Sequence, residues 1–251
     1  MARKKKSLSE AVSSEIQANF NLDGFKSKKG LTSKAKFKEQ EWIPLSPAYQ
    51  EITSVPGIPM GHIVLLRGHS DTGKTTALLE TAVEAQKRKV LPVFIITEMK
   101  WNWEHAIQIH SIEDVSGFIL DLIDEQKNGN LPYDLLFLWD SIGSVPCEMS
   151  IKSNKNNNEW NAGAMSTQFG NSVNQRITLS RKESSAYTNT LVCINKVWTA
   201  KAESPMGKPK LMNKGGFAMW FDSTFVVTFG NIMNAGTSKI KAIKGGKQVE
   251  F

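Results

Sequence analysis

At 251 residues, with 40% hydrophobic and 22% charged content, the chain has an ordinary globular make-up and room for one substantial core plus an appendage. No apolar run approaches the ~18 residues needed to span a bilayer, and the lysines of ARKKKSLSE precede a polar segment, which argues against an export signal. The net charge of +7 is unevenly placed. Residues 1–40 hold ten Lys/Arg against four Asp/Glu, a local +6 on an almost neutral body. Such an arm suits a polyanionic partner, nucleic acid before membrane, or serves as a tail kept basic for solubility. Cys147 and Cys193 stand apart, without metal-ligand spacing or a disulfide framework, so a reducing, cytoplasmic setting is expected.

In chain order, SLSEAVSSEIQANF (7–20) predicts a short helix. Ser7 and Glu10 have capping-box spacing, and Leu8, Val12, Ile16 and Phe20 recur every four residues. One apolar stripe on an arm without a core is a docking face. Residues 21–40 read as a basic linker, and a cluster of prolines from Pro44 to Pro59 marks entry to the body. Strands and helices then alternate. Strands are expected at 62–67, 91–98, 133–140 and 189–196, and helices at 74–88, 111–126 and within 160–183. YDLLFLWD is nearly all apolar, as a strand buried on both faces should be. TFVVTF (224–229) and KIKAI (239–243) are expected as antiparallel additions at one edge, and the NKNNN run at 154–158 as loop. The alternation argues for a mostly parallel sheet covered by helices.

Residues Gly68, His69, Ser70, Asp71, Thr72, Gly73, Lys74 and Thr75 fit G-x-x-x-x-G-K-[ST] between an expected strand and an expected helix. Backbone N–H groups curling around phosphate oxygens leave no space for side chains at the glycines, and the following helix points its positive end at the same place. Lys74 adds a full charge, and the Thr75 hydroxyl can ligate Mg²⁺. The bland alternative is a glycine-rich structural turn. A phosphate loop also needs a metal-side acid. Asp140 ends the apolar strand LLFLWD and Ser141 follows it. An Asp there could instead cap the next turn. Glu98 ends LPVFIITE, a strand end that a parallel sheet would bring beside the phosphate loop.

Taken together, PMGHIVLLRGHSDTGKTT, VFIITE, LLFLWDSIGSVP, LVCINK and NKGGFAMWFDSTFVVTF resemble the bacterial and phage strand-exchange recombinases of the RecA and UvsX type. The likeness runs from about Trp42 to the C-terminus. It implies an α/β fold, a P-loop NTPase RecA-like core (41–251) behind a short N-terminal helical arm (1–40) that docks on the next protomer. The implied activity is a DNA-dependent ATPase forming helical filaments on single-stranded DNA, pairing it with a homologous duplex, with ATP and Mg²⁺ as cofactors. Single-strand-binding and loader proteins would be its further partners, and no membrane is implied.

Carried over by motif, the resemblance gives Lys74, Thr75 and Thr76 to phosphates and magnesium, Asp140 to the metal side, and Glu98 to activation of the attacking water. Lys196 falls where the family has a polar residue sensing the γ-phosphate, so lysine there is a departure. The DNA loops would span about 146–163 and 197–214. The first carries Lys152, Lys155 and Trp160, with Arg176 beyond it. The second carries Trp198, Lys201, Lys208, Lys210 and Lys214, closed by Gly215 and Gly216. Lysines neutralise phosphates and an aromatic stacks on bases. An incidental surface loop is the plain alternative.

IKAIKGGK resembles the stretch that presents lysines to ATP on the adjacent subunit, making Lys244 and Lys247 trans-acting cations or else an exposed hairpin rim. Asn102 or His105 would contact adenine. The stretch between Glu98 and residue 111 is shorter than the family shows, and Phe251 leaves no room for the family's C-terminal domain. Rivals on the same core are a ring-forming helicase or translocase and a hydrolysis-poor accessory DNA-binding protein. A small-molecule kinase lacks an acceptor-binding lid.

Overall fold

The computed structural model describes residues 36–98, 109–155, 157–199, 211–213, 216–230, 241–244 and 247–250. The chain divides into two units, residues 1–37 and 38–251. The helix expected at 7–20 lies outside the described residues.

Among the described residues the central sheet of the second unit is six-stranded, and five strands make its main path: β3 (Ile63–Gly68), β4 (Leu91–Ile96), β5 (Leu135–Asp140), β6 (Asn189–Thr199) and β8 (Phe225–Phe229), in the order β4-β5-β6-β3-β8. Every pairing along this path is parallel. Two short strands before them, β1 (Trp42–Pro44) and β2 (Gly57–Pro59), pair antiparallel, joined by helix α1 (Pro47–Thr53). Strand β7 (Leu211–Asn213) pairs antiparallel with the far end of β6. The fold is thus α/β, a mostly parallel sheet flanked by helices, compatible with a Rossmann-like or P-loop core.

Alternation along each strand divides the core in two. Ile63, Leu65, Leu135, Phe137, Trp139, Leu191 and Cys193 face one side. There they meet helix α3 (Ile112–Lys127) and a long helical run. Val64, Leu66, Leu136, Leu138, Val192 and Ile194 face the other and meet helix α2 (Lys74–Lys87). Both faces of the sheet are covered, which is why these strands are apolar throughout and not alternating. The connection after β3 runs to the far edge and the next one returns. Right-handed crossovers travelling in opposite directions place their helices on opposite faces.

Local signals set the helix ends. Ser111 accepts from the Asp114 backbone, and the Asp114 carboxylate accepts from the Ser111 backbone in return, a capping box that starts α3. Asn157 caps the helix Asn158–Met165 by accepting from the Glu159 and Trp160 backbones. That helix continues as a π-helical segment, Ser166–Val173, and then as Asn174–Ser180. Met165, Phe169, Val173 and Ile177 are all fully buried on one core face. A strict four-residue spacing drifts around an α-helix, and the wider i→i+5 turns absorb the drift. Phe169 consequently stacks on Trp139, with ring centroids 5.0 Å apart.

Three segments depart from expectation. TFVVTF is not an antiparallel addition: β8 runs parallel to β3, with Val64 opposite Phe225 and Gly68 opposite Phe229. The short helix Ala218–Asp222 precedes it, burying Met219 in the core and leading the chain back to the edge where β3 begins. KIKAI does not add to the main sheet either. Lys241–Lys244 pairs with Lys247–Glu250 in an antiparallel two-stranded sheet. The stretch expected as the first DNA loop contains two helices, Glu148–Lys152 and the one opening at Asn158.

Candidate phosphate-binding site

Parallel strands bring their C-terminal ends to one edge of the sheet, where ligands bind in open α/β folds. Gly68 ends β3 opposite Lys196 on β6, and Ile96 ends β4 opposite Asp140 on β5. Residues distant in sequence therefore meet at one rim.

The loop His69–Gly73 joins β3 to α2. Its backbone is unusual where the motif demands it: Asp71 has φ 61° and Gly73 φ 91°. A Cβ at Gly73 would meet nothing within 4 Å, so the loop is open on that side. At Gly68 the situation is opposite. A Cβ there would lie 2.5 Å from the Phe229 carbonyl oxygen, because β8 braces the start of the loop. The helix begins with no side-chain cap and no acidic residue in its first turn. The N–H groups of that turn and the positive end of the helix face an uncompensated region, the arrangement that binds phosphate.

Lys74 is buried, and its ammonium donates to the His69 carbonyl oxygen and to Thr72 Oγ1. Burial holds it below the usual lysine range, Lys196 repels it further, and Asp140, Asp71 and Glu98 pull the other way. Thr75 donates to Asp140 Oδ2 at 2.9 Å. Burial pushes the Asp140 carboxyl above its ordinary range, opposed first by that hydrogen bond. Hydroxyl and carboxylate thus stand side by side, the oxygen pair that a magnesium ion takes from protein while phosphates and water complete its shell. Among the described residues no group of three His, Cys, Asp or Glu gathers. A metal held largely by substrate oxygens needs none.

Glu98 belongs to the same rim. Its Oε1 accepts from Ser141 at 2.8 Å and from Ser144 at 3.4 Å, and pairs with Lys196 at 2.5 Å. The Ser141 hydroxyl, next in chain to Asp140, engages Glu98 and Ser144. The Asp140–Ser141 peptide is cis. Thr97 accepts from Trp139 Nε1 and from the Ser141 backbone while donating to the Ser141 carbonyl, which ties the end of β4 to the turn after β5. Sequence reading missed Ser144 and Thr97. A serine in SIGSVP and a threonine before the acid carry no signal until the strands are known to be neighbours.

The remaining candidates scatter. Ser70, Asp71, Gly73 and Thr76 are exposed. Lys152 pairs with Glu148 at 2.6 Å, and Arg176 reaches Asp124 at 3.4 Å on an exposed helix face. Trp160 is partly buried, packed against the core. Lys155 lines a cleft of about 550 Å³ with Ser144, Ser150 and Asn161. Trp198 is 53% exposed near the end of β6, opposite Met212. Gly216 has φ 85°. Lys244 and Lys247 stand opposite one another in the register of the last hairpin. Asn102, His105, Lys201, Lys208, Lys210, Lys214 and Gly215 lie outside the described residues.

Among the described residues no helix is long and apolar enough to cross a membrane. No protein-family model matches the chain, and no curated protein matches it.

Proposed function

We propose that the chain is a DNA-dependent ATPase with a RecA-like core that assembles into filaments on single-stranded DNA for homologous pairing and strand exchange. One observation carries the nucleotide part. The Gly68–Thr75 loop opens onto the rim where Thr75 meets Asp140 at 2.9 Å and Glu98 stands beside them. The DNA and filament parts rest on the sequence resemblance, on the basic arm, and on the lysine-rich stretch that follows exposed Trp198.

In this reading the loop amides and Lys74 hold the triphosphate, and Thr75 with Asp140 holds magnesium. The bound ion supplies charge neutralisation of the phosphates. Glu98 takes a proton from the attacking water as that water's oxygen bonds to the terminal phosphorus and the bond to the diphosphate oxygen breaks. Ser141 and Ser144 orient the carboxylate through their hydroxyls.

Imaging with single-stranded DNA and a non-hydrolysable ATP analogue tests the whole. Helical filaments that Lys74→Ala abolishes are expected. Closed six-membered rings would favour a helicase or translocase instead, and unchanged assembly and turnover in Lys74→Ala would remove the assignment. A second reading, a protein that binds ATP and DNA but hydrolyses negligibly, is favoured by the Lys196–Glu98 pair. Phosphate release that single-stranded DNA fails to stimulate would support it.

A further inference from the structure

Glu98 is engaged from two sides. Lys196 comes from β6, and the two serines come from the turn after β5. Lys196, Ser141 and Ser144 meet the same oxygen, Oε1, at 2.5, 2.8 and 3.4 Å. The pair is sheltered, with the lysine side chain 32% and the glutamate side chain 14% exposed, so it is more than a solvated surface contact. Lys196 also stands in register with Gly68, where the phosphate loop begins, and within electrostatic reach of Lys74 and Asp140. One ammonium therefore stands between the carboxylate it holds and the anion-binding loop that its strand runs beside.

Resting on the triphosphate reading of the loop, we propose that Lys196 is a latch on Glu98, released when its ammonium turns to a terminal phosphate. The exchange moves a charge-assisted hydrogen bond from one oxygen to another and makes or breaks no covalent bond. The geometry has two consequences. A carboxylate paired with an ammonium is a weaker base than one held by hydroxyls alone, so parting from Lys196 strengthens Glu98 for taking a proton from water, while Ser141 and Ser144 keep the carboxylate aimed. And because part of the triphosphate's binding is used to part Lys196 from Glu98, the site's preference for triphosphate over diphosphate runs through this residue. Lys196 is accordingly a positioning residue for Glu98, and its effect must appear in binding as well as in turnover.

A double-mutant cycle on the full chain reads this directly. The affinity of a fluorescent, non-hydrolysable ATP analogue with Mg²⁺, and of the matching ADP, is measured for wild type, Glu98→Gln, Lys196→Gln and the double variant. Lys196→Met serves if the glutamine variant folds poorly by circular dichroism. With the latch, Glu98→Gln tightens triphosphate binding about fivefold when Lys196 is present and less than twofold when it is absent, and ADP binding shows no such coupling. Equal tightening in both backgrounds is plain removal of a negative charge and overturns the latch while leaving the phosphate site standing. If Lys74→Ala binds the analogue as tightly as wild type, the triphosphate reading itself fails, and the latch with it.

Discussion

Thr75 in the first turn of α2 and Asp140 at the end of β5 share a 2.9 Å hydrogen bond, although β6 lies between β5 and β3, the strand that leads into α2. Removing either partner separates stability from ligand binding. Thr75→Val keeps the shape but deletes the hydroxyl, and we expect the magnesium-dependent part of ATP affinity to fall at least about tenfold in equilibrium titrations. Asp140→Asn can still accept from Thr75 and removes a charge that burial disfavours. An acid raised in the folded state is penalised above its folded value and relieved below its unfolded one, so the wild type carries that penalty whenever Asp140 is ionised. The variant should therefore melt about 2–4 °C higher without nucleotide, by calorimetry, while losing the magnesium effect.

The two motif glycines should respond differently to alanine. At Gly68 the added methyl would overlap the Phe229 backbone, which cannot rotate away, and a loss of about 2 kcal/mol, or ~4–8 °C in Tm, is expected. At Gly73 the methyl meets open space and only the left-handed backbone resists it, for about 1 kcal/mol. Comparable melting temperatures for the two variants would contradict the bracing of the loop by β8.

His62 makes a pH prediction. Gln40 donates its amide to the Met60 and Glu41 carbonyls, which leaves its oxygen to accept from His62 Nε2, and Nδ1 then accepts from Thr224. Both ring nitrogens suit the neutral form. Burial, then repulsion by Arg181, lowers the imidazole to about 4. Below the ordinary value near 6.5 the unfolded chain takes a proton that the folded chain refuses, so stability declines as pH falls from about 6.5 to about 4. Denaturant midpoints at pH 7 and pH 5 should differ less in His62→Gln than in wild type.

Trp198 tests the polynucleotide reading. It is exposed near the end of β6, so Trp198→Ala should leave the melting temperature within a degree or so. Single-stranded DNA affinity should fall about 5- to 100-fold, the range of one lost base-stacking contact. Unchanged affinity by fluorescence anisotropy would assign the tryptophan to another surface.

Features set by local chemistry were legible in the sequence. The unbroken apolar runs IVLLR and LLFLW and the glycine spacing of the loop each act over a few residues, and each is present in the folded chain. Strand direction is not local. TFVVTF has the same apolar pattern whichever way it runs, and its parallel direction appears only in the register with β3, after the helix at Ala218–Asp222. The pairing of Lys196 with Glu98 was hidden for a related reason. Their strands are not neighbours in the sheet, since β5 lies between them, and the partnership appears only when the rim is assembled.

The strand order carries a last consequence for the newborn chain. Lys196 sits on a strand that wedges between two others synthesised before it, so a nascent polypeptide emerging only as far as residue 188 has a gap where the middle of the sheet should be. No early fragment can gather Gly68, Glu98, Asp140 and Lys196 at one edge. A ligand that recognises this edge therefore selects chains whose synthesis has passed β6.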